Sequence, residues 1–140
     1  MTKAPDFSLH DQNDMLFTLR LLEGQIIILI ASNMDALNHN RQWGKAIREQ
    51  YRETVYILGV ADTRGIPSIM ENMVRKFFKD EEISILLDWK GHIFDTCGLS
   101  AGVSNIVLID RNGFIRYIHA GEASKKAIES LFHEVNVLMS

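Results

Sequence analysis

Apolar residues run unbroken from Ile26 to Ala31 in QIIILIASNMDAL, and polar Ser32, Asn33 and Asp35 follow at once. Such a run suits a central strand covered on both faces, here Gln25 to Ala31, and the polar residues offer oxygens that cap a helix start. Met34, Leu37, Trp43, Ile47 and Tyr51 then recur on one helical face, so the spacing predicts a helix to Arg52, weakened locally by Gly44. The same grammar repeats. Val55 to Ala61 reads as a second central strand, and Pro67 suits the first turn of the helix after it. In that helix Ile69, Met70, Met73, Val74, Phe77 and Phe78 fall on the i, i+3, i+4 pattern. They are expected to form an apolar stripe packed on the sheet, in preference to a partner groove.

Ile83 to Asp88 is a further strand, followed by a glycine-containing turn from Trp89 to His92 and an irregular or briefly helical stretch over 93–102. Asn105 to Asp110 and Phe114 to Ala120 are two strands around Asp110-Arg111-Asn112-Gly113, a strong hairpin signal because Gly113 can take positive φ. The chain closes with a helix capped at Ser124 or a near neighbour, with Ala127, Ile128, Leu131, Phe132, Val135 and Leu138 toward the sheet. At the other end, alternation around Asp-Gln-Asn-Asp makes FSLHDQNDMLFTL a short hairpin. Parallel crossovers followed by an antiparallel hairpin and a helix describe an α/β chain. Its central mixed sheet carries helices on both faces and an N-terminal hairpin extension.

Length and charge narrow the reading. With 140 residues, 46% of them apolar and 24% charged, one domain over 1–140 can bury its own core without staples. A net charge of −3 and no run of Lys or Arg argue against a nucleic-acid partner. The one cysteine, Cys97, has no internal disulfide partner. No apolar run nears the ~20 residues that span a bilayer, and none near the start has signal-peptide form, so the chain as written is expected to be cytoplasmic, without a membrane. Removal of a leader would leave the same sequence and place it in the periplasm.

APDFSLHDQND and LRLLEGQIIILIAS resemble the opening of the redoxin branch of the thioredoxin superfamily, and GVSNIVLIDRNGFIRYIHAGE resembles its closing hairpin. The likeness covers nearly the whole chain and implies a thioredoxin-like fold. Within that branch, ILIASNMDALNHN, GVADTRGIPSIMENMVRKFF and ILLDWKGHIFD are similar to the YtfJ-like group. The resemblance also marks what is missing. Thioredoxin-like catalysts place a Cys-x-x-Cys pair at this strand-to-helix junction, where the helix N-terminus lowers a thiol pKa. Here those positions carry Met34 and Leu37. Peroxiredoxin-like enzymes need a peroxidatic cysteine in the same region, and none lies between Gln25 and Arg52. Ser104 stands where the family has a cis-proline; a cis Val103–Ser104 bond would cost ~2.5–4 kcal/mol, so a trans peptide is expected. Classical thiol-disulfide exchange is therefore not expected, and Met34, Leu37 and Ser104 read as vestigial redox positions.

Other candidates are weaker. Cys97 could act as a lone redox nucleophile or sensor, but no flanking cation activates it, and a small buried hydrophobe is the plainer reading. The five histidines, His10, His39, His92, His119 and His133, lack metal-site spacing, so no metal is expected, with His39 the one near the former redox position. No cofactor is implied. Asp62-Thr63-Arg64-Gly65 follows the carboxyl end of a central strand, the edge where open α/β sheets collect ligands. Asn33, Asp35, Asp62, Arg64, Ser104 and Asn105 are thus expected to form one polar binding cleft. Three function classes follow: a catalytically degenerate binding or regulatory module for a protein or small-molecule partner, a one-cysteine redox enzyme or sensor using Cys97, and a structural homo-oligomer subunit.

Overall fold

The computed structural model describes residues 2–140 and bears out this architecture. In chain order the elements are β1 (Thr2–Lys3), β2 (Ser8–His10), β3 (Leu16–Thr18), β4 (Ile27–Ser32), α1 (Leu37–Tyr51) and β5 (Tyr56–Asp62). They continue as α2 (Glu71–Phe78), β6 (Ile85–Asp88), α3 (His92–Cys97), β7 (Asn105–Ile109), β8 (Phe114–Ala120) and α4 (Lys125–Met139). A six-stranded mixed sheet runs in the order β1-β8-β7-β4-β5-β6. Strands β4, β5 and β6 are mutually parallel, whereas β7, β8 and β1 join antiparallel.

The period-two rule explains how one apolar run serves two faces. Ile26, Ile28 and Ile30 pack with Trp43, Ile47 and Tyr51 of α1 and with Ala127, Leu131 and Val135 of α4. Ile27, Leu29 and Ala31 turn to the opposite face, against Ile93 and Phe94 of α3 and against Phe7, Phe17, Leu19 and Leu22 of the N-terminal segment. Met34–Ala36 form a 3₁₀ turn before α1 begins at Leu37, so the helix is shorter at its start than its spacing implies.

The β2–β3 hairpin does more than extend the fold. Asp11 Oδ1 accepts from the backbone N–H groups of Asn13 and Met15 and so closes the turn. The Gln12 amide then behaves like one residue of a neighbouring strand: its Oε1 accepts from Ile85 N at 2.7 Å and its Nε2 donates to Ile83 O at 3.0 Å. That side chain satisfies backbone groups at the β6 edge, which would otherwise be open to pairing with another chain.

Pro67 and the α2 stripe need correcting. Pro67 has ψ 140 and lies just before a 3₁₀ turn, Ser68–Met70, not inside the first helical turn. Of the six apolar residues assigned to the sheet, Val74 and Phe78 alone are buried. Ile69, Met73 and Phe77 are 90%, 62% and 54% exposed, and Met70 is exposed as well. Helix α2 is only eight residues long and stands over the β5–β6 end of the sheet, where Ala61, Ile85 and Leu87 offer a narrow floor. On so narrow a floor only the Val74 and Phe78 edge of the stripe is covered, and the Ile69, Met73 and Phe77 edge is left in solvent.

Candidate functional site

The carboxyl ends of β4 and β5 meet the start of α1 where the vestigial positions were expected. Asn33 takes an extended conformation and its Oδ1 accepts from Asp35 N at 3.3 Å, opening the 3₁₀ turn that carries Met34. Met34 and Leu37 are partly buried and pack with Val74, Phe78, Ile66 and Trp89, so apolar contacts occupy the junction. Neither side chain can ionise or exchange a sulfur bond.

Ser104 is fully enclosed at the start of β7, and the peptide bonds of the described residues, Val103–Ser104 included, are trans. Its hydroxyl donates to Asn40 Oδ1 on the first turn of α1, and Asn40 Nδ2 donates to Ser32 Oγ at 2.6 Å. Ser32 Oγ in turn donates to Asn33 O at 2.6 Å. A buried polar chain thus ties the end of β4, the start of α1 and the loop before β7 into one unit. Asn40 was not singled out in the sequence, because an Asn on a helix gives no signal of the serines it will meet.

The six expected cleft residues divide into separate groups. Asn105 is buried and inward-facing: its Nδ2 donates to Ala31 O, Ser100 O and Val103 O, and its Oδ1 accepts from Ser100 N. It staples the α3–β7 loop to β4 and has no group left for a ligand. Arg64 lies between Asp62 and Asp95, with its Nη2 2.8 Å from Asp62 Oδ2 and its Nη1 2.8 Å from Asp95 Oδ1. The bond from Arg64 holds the Asp62 carboxyl below the usual carboxylate range and outweighs its partial burial. A Cβ on Gly91 would collide with that guanidinium, and Gly91 takes φ 67, which favours glycine. This is a folded corner, clamped by charge.

Cys97 ends α3 and is partly buried among Ile93 and Phe94, on the face of the sheet opposite the cluster that holds Met34 and Leu37. Burial pushes its thiol pKa up, and the neighbouring Asp88 carboxylate pushes it further. Both effects disfavour the thiolate that redox chemistry needs. Asp88 itself is fully buried and caps α3, its oxygens accepting from His92 N and Ile93 N at 3.0 Å each.

Among the described residues no three His, Cys, Asp or Glu side chains converge on a metal position. His39 Nε2 is 3.7 Å from Glu122 Oε1, His92 Nε2 lies 2.9 Å from Asp6 O, and His119 stacks on Tyr117 beside Trp43. His10 and His133 are exposed. No helix among the described residues is long and apolar enough to cross a membrane.

No protein-family model matches the chain, and no curated protein does. Solved structures do. A protein described as a thiol:disulfide interchange protein DsbE of Chlorobium tepidum superposes with a TM-score of 0.77 at 19% identity, covering 99% of this chain and 96% of that one. A protein described as a disulfide isomerase of Bacteroides thetaiotaomicron gives 0.74 at 19% identity, over 98% of this chain and 87% of the other. A thioredoxin-like superfamily protein gives 0.78 at 18% identity, over 100% and 97%. Likeness at this level of identity establishes a shared fold.

Proposed function

We propose that this chain, whose fold is thioredoxin-like, is a degenerate redoxin of the YtfJ-like kind that no longer exchanges thiols and binds a polypeptide beside the old redox junction. The observation that carries this reading is the outer face of α2 and of the 3₁₀ turn before it, where Ile69, Met73 and Phe77 are more than half exposed. Contiguous apolar exposure on a folded chain commonly marks an interaction surface. Helix α2 lies beside the junction through its inner side, since Val74 and Phe78 pack with Met34 and Leu37.

The chemistry of the partner follows from the flanks. Lys76 on this helix and Lys79 just past its end are exposed, and Arg75 pairs with Asp14 at 3.1 Å and Glu71 at 3.6 Å. An apolar segment carrying acidic side chains complements that surface. The name of the protein disulfide isomerase that this chain resembles supports a polypeptide as the occupant.

The test uses a reduced, carboxymethylated and fluorescently labelled unfolded protein, whose added carboxylates supply the acidic groups. Saturable binding by anisotropy is expected, weakened at least tenfold in Met73→Lys/Phe77→Glu and unchanged in Cys97→Ser. Absence of binding, equal binding by the double variant, or sedimentation showing that the face is covered by a second copy of the chain would overturn it. The reading that makes Cys97 a redox centre has less support, because both influences on the thiol raise its pKa.

A further inference from the structure

A cavity of about 260 Å³ lies between α1 and the turn joining α2 to β6. Its walls are mainly apolar, with Ile30, Val60, Ile85 and Phe78 among them. Two glycines also line it. Gly44 lies in the interior of α1, where glycine is a poor helix former, and a Cβ there would meet Arg48 Nη1 at 3.0 Å, which a flexible side chain can yield, and Ile30 Cδ1 at 3.7 Å. At Gly59 a Cβ would run into Ile85 Cδ1.

The mouth is crossed by two ion pairs. Arg41 Nη2 is 2.8 Å from Glu81 Oε2, and Arg48 Nη2 is 2.9 Å from Glu82 Oε2. Lys45 and Asp80 complete the charged lining, so cations and carboxylates are equal in number and leave no net charge to select an ion. At one end Ser32 and Asn40 are polar. The Asn40 amide donates to Ser32 and accepts from Ser104, which leaves the second lone pair of its Oδ1 able to accept from a ring N–H.

We propose that this cavity binds an uncharged aromatic molecule of about indole size carrying one hydrogen-bonding group. A cavity of about 150 Å³ lined by Leu, Ile and Phe holds benzene, so 260 Å³ admits a fused bicyclic ring. The ring replaces water against Ile30, Ile85 and Phe78, its N–H meets Asn40, and the Arg41–Glu81 and Arg48–Glu82 pairs hold the mouth over it. The site lies on the inner side of α2, where Phe78 is buried, and so stands apart from the outer face that carries the polypeptide reading.

Indole is the probe, titrated into the full chain carrying ¹³C-labelled isoleucine methyls. Saturable ring-current shifts are expected at the δ1 methyls of Ile30 and Ile85, with sub-millimolar affinity. Gly44→Leu projects into the cavity and should weaken indole at least tenfold in a folded protein. Gly44→Ala, which adds one methyl and favours the helix, keeps the test open if the larger residue prevents folding; it should weaken indole about threefold. No saturable shift at the two methyls up to the solubility of indole, or unchanged affinity in a folded Gly44 variant, overturns the proposal.

Discussion

Helices α1 and α2 arise from the same sequence grammar, a buried strand, a polar turn and an apolar periodicity, yet they end in different places. The apolar side chains Trp43, Ile47 and Tyr51 of α1 are all buried, and Trp43 is 0% exposed, its indole N–H donating to Gly121 O at 3.0 Å. Of the comparable stripe on the α2 segment, two residues are buried and four are exposed. Neighbours account for the difference. Helix α1 lies over the middle of the sheet with α4 beside it, so its flanks are covered, whereas α2 lies toward the β6 edge with fewer elements around it. An amphipathic pattern states that a face is apolar; what covers that face is decided by the rest of the molecule.

The sharpest way to break this contrast is truncation on both helices. Trp43→Ala should lose about 3–5 kcal/mol by cavity formation and desolvation, read as a lower urea midpoint. Met73→Ser on the outer face of α2 should change stability by no more than about 0.5 kcal/mol. Equal losses would mean that the α2 face is covered in solution. Next in size is Asp88→Ala, which strips the two N–H acceptors at the start of α3. A loss of about 1–3 kcal/mol is expected from the buried unpaired donors, together with faster hydrogen exchange at His92 and Ile93.

Acid titration gives an intermediate effect. The carboxyl of Asp110 is desolvated, but the N–H groups of Phe114 and Asn112 and the Arg116 guanidinium overcome this and hold its pKa below the usual carboxylate value. Asp62 is held low by Arg64. Groups lowered on folding stabilise the protein fully above their unfolded pKa of about 3.9, and lose that contribution as pH falls through the folded values. Stability should therefore fall below about pH 4. Asp110→Asn keeps an acceptor oxygen but cannot titrate, so a denaturation series should show a shallower acid slope and about 1 kcal/mol less stability at neutral pH. A small effect is expected for the Arg41–Glu81 pair, whose Arg41 side is exposed. Arg41→Gln should cost at most about 1 kcal/mol, and less in 1 M salt, by thermal melts.

Much of the frame was legible from local physics. The Asp110–Gly113 hairpin forms as its residues imply, with Gly113 at φ 85 and Asp110 Oδ1 accepting from Asn112 N and Phe114 N. Ser124 caps α4 by accepting from Ala127 N at 3.1 Å. The candidate site was less legible. Asn105 and Arg64 looked available for a ligand, but each is engaged by groups distant in the chain or enclosed by its own loop. Gln12 gave no hint of the β6 backbone it reaches 71 and 73 residues away.

By itself the sequence determined the alternation of strands and helices, the turn chemistry, and the absence of a thiol at Met34 and Leu37, because these depend on residues a few positions apart. Tertiary structure alone decided that Asn40 joins Ser32 to Ser104, that Cys97 lies on the opposite face of the sheet from Met34 and Leu37, and that α2 keeps an exposed apolar face. The physical reason is reach: periodicity and capping act within a turn or two of chain, while burial and polar pairing depend on which distant segments fill the same space.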